Sequence, residues 1–196
     1  MTESSKEYLR NIDKASIDRL PNIVFDGEIV VVNTRAEADK AVKYLSGFKV
    51  LGFDTETKPT FKKGQNHSIA LLQLSTDERA YLFRIKTVGI TDNLLALLEN
   101  DKIIKVGAAV HDDIKGLAKL RKMRPAGFAD LQNVVPKYGI MEKSVRNITA
   151  IVLNARLSKA QRLTNWENEE LTGSQCLYAA TDAWVCRKIY ESLGNS

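Results

Sequence analysis

The sequence predicts one α/β domain whose mixed sheet has antiparallel strands followed by parallel strands. The β-rich segments Ser68 to Thr76 and Arg79 to Ile85 are joined only by Asp77-Glu78, which favours an antiparallel hairpin. Beyond the hairpin, segments with helical periodicity alternate with a short apolar run. This alternation is typical of crossover units, which connect parallel strands.

Before the hairpin, the chain begins with a polar stretch, residues 1–24, that we interpret as an N-terminal arm with a short helix near Ser16 to Leu20. A β-branched run, Glu28 to Asn33, predicts a strand. A capping box that begins at Thr34 then predicts a helix ending at Gly47. The apolar run Phe48 to Asp54 predicts the next strand.

After the hairpin, the patterns predict one strand and several helices. They are a helix over Thr91 to Glu99, a strand over Lys102 to Gly107, and helices over Asp112 to Met123, Asp130 to Tyr138, Asn147 to Leu153 and Gln175 to Leu193. A second capping box, starting at Thr172, opens the last helix. Residues 25–196 are therefore expected to form a single domain.

Composition is that of an ordinary globular protein. Of 196 residues, 44% are hydrophobic and 27% charged, and 29 Lys and Arg against 24 Asp and Glu give a net charge of +5. These values exclude a disordered or collagen-like chain. No apolar run approaches the roughly 18 residues of a membrane span. Because no such run is present, we expect no membrane partner. Cys176 and Cys186 lie too far apart on one predicted helix for a disulfide, so we expect a cytoplasmic protein.

The first candidate site is Asp54-x-Glu56, which follows a hydrophobic run at the carboxyl end of a predicted strand. Residues two apart on a strand project to the same side. Two neighbouring carboxylates repel each other unless a cation lies between them, and a hard cation such as Mg²⁺ or Mn²⁺ prefers oxygen ligands. An isolated pair of this kind is more often a strand running into a polar turn.

The second candidate is the aspartate pair that begins the helix after the strand Lys102 to Gly107. Asp113 shares a helical face with Leu117, the buried side, and is the candidate ligand. Asp112 lies on the wet face and is expected to cap the helix. Open α/β sheets place their sites at the carboxyl ends of parallel strands.

The third candidate lies in the last helix, where Tyr178 and Asp182 are one turn apart on one face. Alanines separate them, which permits close approach of the backbone. An aspartate on an otherwise apolar stripe must find a partner or a metal ion.

Taken in order, these three motifs resemble those of the DEDD superfamily of 3′–5′ exonucleases, in the subgroup with tyrosine in the third motif. The Werner-type exonuclease domain and ribonuclease D are the most similar members. The resemblance covers about Asp26 to Leu193, and it includes Leu71-Leu-Gln-Leu74 and the stretch Leu157 to Trp166. One departure is Ala109, at a position where proofreading relatives carry asparagine.

The resemblance implies a ribonuclease H-like fold and a two-metal-ion hydrolysis of nucleic acid at a free 3′ end, with release of nucleoside 5′-monophosphates. The cofactors would be two divalent ions, Mg²⁺ or Mn²⁺. On its terms Asp54 bridges both ions, Glu56 and Asp182 complete the first metal site, and Asp113 holds the second. Tyr178 would orient the attacking water.

Several residues are predicted to contact nucleic acid. Lys58 and Phe61 lie in the loop after the first motif, where charge and stacking could reach the terminal nucleotide. Lys159 and Arg162 lie in the stretch Leu157 to Trp166 and are the best candidates for phosphate contacts. Thr55, inside the first motif, completes the set. A basic run from Lys115 to Arg124 is either a solvated helix face or a phosphate-binding surface.

The sequence is also compatible with other functions. One is a non-catalytic nucleic-acid-binding module on the same fold, and another is a ribonuclease D-like enzyme that processes RNA. The Werner-type character favours DNA slightly. A phosphate-ester enzyme acting on small molecules is disfavoured, because the sequence has no glycine-rich phosphate loop. Oligomeric state is not predicted.

Overall fold

The computed structural model describes residues 7–60, 67–158 and 160–195. In this part of the chain the strands are β1 (Glu28–Val32), β2 (Val50–Thr57), β3 (Ile69–Ser75), β4 (Arg79–Arg84), β5 (Ile104–Gly107) and β6 (Phe128–Asp130). The helices are α1 (Lys14–Asp18), α2 (Arg35–Leu45), α3 (Ile85–Val88), α4 (Asp92–Leu98), α5 (Val110–Leu120), α6 (Leu131–Val134), α7 (Val145–Leu153) and α8 (Gly173–Ser192).

The described strands form one mixed sheet in the order β1-β4-β3-β2-β5-β6. The predicted hairpin is confirmed, because β3 and β4 pair antiparallel and β2 continues the antiparallel set on the other side of β3. β5 and β6 extend the sheet in parallel from β2. β1 joins the opposite edge, parallel to β4. The fold therefore has the antiparallel and parallel parts that the sequence predicts.

Both predicted capping boxes are present. Thr34 accepts a hydrogen bond from the backbone of Glu37 at the start of α2, and Thr172 accepts one from the backbone of Gln175 at the start of α8. In each case the side chain at the third helical position bonds back to the cap. These local exchanges satisfy donors that a helix start leaves free.

The prediction of one helix over Asp130 to Tyr138 is wrong. Phe128–Asp130 is instead strand β6, and the helical residues after it divide into α6 and a 3₁₀ turn, Val135–Tyr138. Pro136 has no backbone N–H to continue an α-helix. The pairing of β6 with β5 is a long-range contact that three residues of local sequence do not reveal.

Helices cover both faces of the sheet. One face packs Leu51, Phe53 and Leu72 against α2, α4 and α5 in the largest apolar cluster. The other face packs against α8, which crosses β2, β3, β4 and β5. The helix that carries the third motif therefore lies directly over the strand that carries the first.

The described part of the arm packs on this second side of the domain. Ile17 of α1 is buried, and the backbone of Asn22 pairs with that of Arg156. The helix predicted near Ser16 to Leu20 forms slightly earlier, over Lys14–Asp18. None of the described helices combines the length and apolarity needed to cross a bilayer.

Candidate metal and active site

The end of β2 presents the first two carboxylates. β2 is buried through Phe53 and becomes partly exposed from Asp54 onward. Side chains alternate along a strand, so Gly52, Asp54 and Glu56 project from one face. A Cβ atom on Gly52 would overlap the carbonyl oxygen of Ala183 in α8, which identifies this face as the one that α8 covers.

The close crossing at Gly52 brings the third carboxylate to the first two. Because glycine has no side chain, the backbone of α8 can lie against β2 beside Ala183. One oxygen atom from each of Asp54, Glu56 and Asp182 lies within 4.8 Å of the others. Three carboxylate oxygens at this spacing are a donor set that suits a hard divalent cation such as Mg²⁺ or Mn²⁺.

Asp113 reaches the same region from the first turn of α5. Its Oδ1 accepts a hydrogen bond from Oγ1 of Thr55 on β2. It lies outside the group of three mutually close carboxylates, although its charge acts on two of them. Asp113 therefore lies beside the group of three carboxylates without belonging to it.

The start of α5 is not capped by Asp112, contrary to the prediction. The N-cap residue is Ala109, which adopts a left-handed conformation and supplies no side-chain cap. The two carboxylate oxygens of Asp130 accept the N–H groups of Ala109 at 3.0 Å and Val110 at 3.2 Å. His111 lies inside α5 and is exposed.

Asp130 is the residue of this region that the sequence analysis missed. It was assigned to a helix start, and its side chain does cap α6 by accepting the N–H of Gln132 at 2.9 Å. An aspartate at a helix start is a local pattern that predicts such a cap. Its second role, at the start of the helix that carries Asp113, depends on the pairing of β5 with β6 and has no local signature.

Burial raises the pKa of all four carboxyl groups. For Asp54, burial acts first and the charges of Asp182 and Asp113 add to it. The pKa of Glu56 rises to about 9 through burial and then the charge of Asp54, and that of Asp113 rises to about 6 through burial. Burial also raises the pKa of Asp182. A divalent cation would offset this repulsion and favour the ionised forms.

Tyr178 and Asp182 face each other across one turn of α8, as predicted. Their side chains are hydrogen-bonded, and burial followed by the neighbouring carboxylates raises the pKa of Tyr178 above its ordinary value. The hydroxyl therefore stays protonated near neutral pH and acts as a donor. The ring lies 6.0 Å from that of Trp166, centroid to centroid, and Trp166 is fully buried, so it packs.

The segment before α8 is held against the end of β4. The guanidinium of Arg84 donates to the carbonyl oxygens of Asn168 and Glu169, the latter at 3.0 Å. Arg162 lies in this segment and is exposed. The pKa of Glu56 is raised chiefly by burial, and Arg162 is the group whose charge opposes that rise. The structure thus brings Arg162 near the carboxylates.

The other predicted nucleic-acid contacts are distributed differently. Lys58 is half-buried, and its charge acts on Glu167 rather than on the carboxylate cluster. Thr55 hydrogen-bonds to Asp113. Phe61 and Lys159 lie outside the described residues.

Two clefts flank the carboxylates. A cleft of about 270 Å³ has Tyr178 and Asp182 in its wall together with the apolar side chains of Val24 and Leu177. A second cleft, of about 420 Å³, is lined by Thr55 and Asp113 among others. An extended chain that passed over the carboxylates would have room on either side.

The basic run from Lys115 to Arg124 is divided between two roles. Lys115 and Lys119 line the larger cleft. Arg121 instead pairs with Asp92 and donates to the carbonyl oxygen of Ile90 at 2.6 Å. Lys115 and Lys119, in the first part of the run, therefore face the space beside Asp113.

Comparison with known proteins places these residues in a family. Residues 29–196 match the family model described as 3'-5' exonuclease. The bifunctional 3'-5' exonuclease/ATP-dependent helicase WRN of Mus musculus is 34% identical over 188 residues, which are 91% of this chain and 13% of that protein. Exonuclease 3'-5' domain-containing protein 2 of Drosophila melanogaster is 36% identical over 150 residues, 74% of this chain and 25% of that protein. The chain thus spans a small part of these relatives.

Solved structures share the fold. RNase D of Trypanosoma brucei, in complex with RNA U12, has a TM-score of 0.77 and 20% identity, covering 88% of this chain and 64% of that one. The EXD2 exonuclease domain soaked in Mn has a TM-score of 0.51 and 28% identity, covering 85% and 88%. The mixed sheet is therefore the ribonuclease H-like sheet that the resemblance implied. Because the family match runs from β1 through α8 and includes every element that carries a site carboxylate, the chain belongs to the 3′–5′ exonuclease family.

Proposed function

We propose that this protein is a divalent-metal-dependent 3′–5′ exonuclease that hydrolyses phosphodiester bonds of nucleic acid at a free 3′ end. The products would be nucleoside 5′-monophosphates. The observation that carries the proposal is the convergence of Asp54, Glu56 and Asp182 within 4.8 Å, in a chain that matches the exonuclease family over residues 29–196.

The residues present fit two metal ions. Asp54, Glu56 and Asp182 would hold the first ion, and Asp54 with Asp113 would hold the second. Four carboxylates match the charge of two divalent cations, which accounts for so acidic a centre in a basic protein. Bound Mg²⁺ or Mn²⁺ would lower the pKa of the attacking water and stabilise charge on the attacking and leaving oxygens.

The protein's own side chains would position the reactants. Tyr178 keeps its proton near neutral pH, so its hydroxyl would orient the attacking water by a hydrogen bond and would not remove a proton. Arg162 lies near the carboxylates and would contact a substrate phosphate. Thr55, Lys58, Phe61 and Lys159 are proposed as further nucleic-acid contacts.

Domain organisation and compartment belong to the same proposal. Residues 25–196 would be the exonuclease domain and residues 1–24 an arm. Both cysteines are free and lie on α8. Free thiols are compatible with a cytoplasmic location, where the environment is reducing.

The test is a cleavage assay on 5′-labelled and 3′-labelled single-stranded DNA and RNA, in Mg²⁺, Mn²⁺ or EDTA. We expect stepwise shortening from the 3′ end that requires the metal ion. Asp113→Asn should reduce the rate by ~100-fold or more, while Asp112→Asn, its exposed neighbour on the same turn, should match the wild type.

The outcomes separate the candidate functions. Cleavage in EDTA, or full activity of Asp54→Asn, would contradict the metal mechanism. Binding of an oligonucleotide without shortening of any substrate would favour a non-catalytic binding module. The relative rates on DNA and RNA would assign the substrate class.

A further inference from the structure

Two polar side chains are buried on the strand next to Asp54. Gln73 and Ser75 of β3 are completely inaccessible to solvent. Neither amide atom of Gln73, nor the hydroxyl of Ser75, has a hydrogen-bond partner among the described residues. Buried polar groups in native proteins are nearly always hydrogen-bonded. An orphaned carboxamide at this place therefore requires a partner.

The strand register identifies the nearest functional group. Gln73 is the cross-strand partner of Asp54, and Ser75 is the partner of Gly52. Residues directly opposite each other on antiparallel strands project to the same face, with Cβ atoms roughly 4.5–5.5 Å apart. Gln73 and Ser75 thus share the α8-covered face with Asp54, and a glutamine side chain is long enough to reach the aspartate carboxylate.

The neighbours of Gln73 and Ser75 on β4 are apolar. On its second side Gln73 is paired with Leu82 of β4, and Ser75 with Ala80. The part of α8 above the sheet contributes the buried residues Ala179 and Ala183. Small side chains on the helix leave space for the carboxamide without offering it a hydrogen bond.

We propose that Gln73 is a positioning residue that fixes the orientation of the Asp54 carboxylate in the metal site. In the metal-bound protein its Nε2 would donate a hydrogen bond to Asp54 and its Oε1 would accept one from the hydroxyl of Ser75, two contacts that the described side chains do not make in this structure. These two contacts would satisfy all three orphaned polar groups at once.

A neutral carboxamide suits this role. It holds Asp54 so that its oxygens face Glu56 and Asp182, and it adds no charge to a centre that already carries several carboxylates. Ligating carboxylates are commonly oriented by outer hydrogen bonds of this kind. The inference rests on the proposed function, because it assigns a support to the proposed metal site.

The test is Mn²⁺ binding by calorimetry on the full chain without nucleic acid. Gln73→Met keeps the length of the side chain but removes both hydrogen bonds, and should weaken Mn²⁺ binding by about 10–100-fold. Ser75→Ala should weaken it less, in the same direction. The matched control is Leu72→Met, an equally buried position whose side chain faces the opposite core; its Mn²⁺ affinity should equal that of the wild type.

Steady-state kinetics adds an independent reading. Loss of Asp54 orientation should lower kcat more than it raises KM, whereas general loosening of the fold should also affect Leu72→Met. Thermal unfolding establishes that each variant is folded. If Gln73→Met does not fold, Ser75→Ala decides the question by the same measurement.

Unchanged Mn²⁺ affinity in folded Gln73→Met, or in Ser75→Ala if that variant must decide, would overturn the inference and leave the proposed function standing. A wild-type protein that binds no Mn²⁺, or an Asp54→Asn protein that binds it equally well, would instead overturn the proposed function. The two failures are therefore distinguishable.

Discussion

Oγ1 of Thr55 donates a hydrogen bond to Oδ1 of Asp113, so one side-chain contact links the end of β2 to the first turn of α5. Thr55 lies between Asp54 and Glu56 and points to the other side of the strand. The residue between the two proposed ligands of the first motif thus holds the proposed ligand of the second. The two motifs are adjusted to each other by a group that coordinates neither proposed ion.

Removing this link should weaken the proposed second metal site. We expect Thr55→Val, which keeps the shape but not the hydroxyl, to reduce Mn²⁺ affinity at that site by about 10-fold. Calorimetric titration should show an unchanged Mn²⁺ affinity at one site and a weaker affinity at the other. Thr55→Ser retains the donor and is the control, and identical titrations for Val and Ser would exclude a role for the hydrogen bond.

Neutralising Glu56 should stabilise the protein when metal is absent. The pKa of Glu56 is raised from 4.5 to about 9, chiefly by burial, so between these values the folded state holds a proton that the unfolded chain releases. Folding stability therefore falls as pH rises across this window. In EDTA, Glu56→Gln should unfold at a higher Tm than the wild type at pH 8–9, by roughly 2–4 °C for each kcal/mol gained.

Bound metal should reverse the order of the Tm values of the wild type and Glu56→Gln. Saturating Mn²⁺ stabilises a folded state that binds it, so the wild type should gain Tm and Glu56→Gln should gain less. Differential scanning calorimetry with and without EDTA measures both. A wild type that is the more stable protein in EDTA at pH 9 would contradict the electrostatic argument.

Asp130 should prove important for the position of α5. Asp130→Ala leaves the N–H groups of Ala109 and Val110, and that of Gln132 at the start of α6, without their acceptor, and such a loss costs about 1–3 kcal/mol. Urea unfolding at pH 7 measures it. Asp112→Ala, in the exposed first turn of the same helix, should change the free energy of unfolding by less than about 0.5 kcal/mol. Equal effects for the two variants would show that the cap does not depend on Asp130.

Lys105, which lies outside the candidate site, should make the stability of the fold depend on pH. Its ammonium donates to the carbonyl oxygens of Asn100 at 2.7 Å and Ile103 at 2.8 Å. Burial lowers its pKa from 10.5 to about 8, against the charge of Asp101. Between these values the unfolded chain holds the extra proton, so this group makes the protein more stable as pH rises from about 8 to 10.5.

Lys105→Met should abolish this contribution. The difference in unfolding free energy between wild type and variant should widen in favour of the wild type across that pH range, as measured by urea titration at several pH values. Lys102→Met, at an exposed position on the same segment, should show a constant difference. A constant difference for Lys105→Met would mean that the buried amine keeps an ordinary pKa.

The features that could be predicted from the sequence are those that short stretches of residues determine. The hairpin and both capping boxes follow from short segments of sequence, and alternation along β2 correctly put Asp54 and Glu56 on one face. β6 and the double role of Asp130 escaped prediction, because both depend on the pairing of β5 with a three-residue strand. The left-handed Ala109 gave no signal, since glycine or asparagine is the usual sign of that conformation.

The crossing of α8 over β2 should depend on Gly52. Gly52→Ala would force a methyl group into the carbonyl oxygen of Ala183, a backbone atom that cannot turn aside. Displacing α8 would carry Asp182 away from Asp54. We expect a loss of unfolding free energy of about 1–3 kcal/mol or more, together with weaker Mn²⁺ binding.

Gly173 provides the matched control for this substitution. It is the first residue of α8, and a Cβ atom there would meet no other atom within 4 Å. Gly173→Ala should leave Mn²⁺ binding unchanged and should slightly stabilise the helix, because alanine has the higher helix propensity. If both variants bound Mn²⁺ like the wild type, the spacing of the carboxylates would not depend on how closely α8 approaches β2, and another contact would have to hold Asp182 in place.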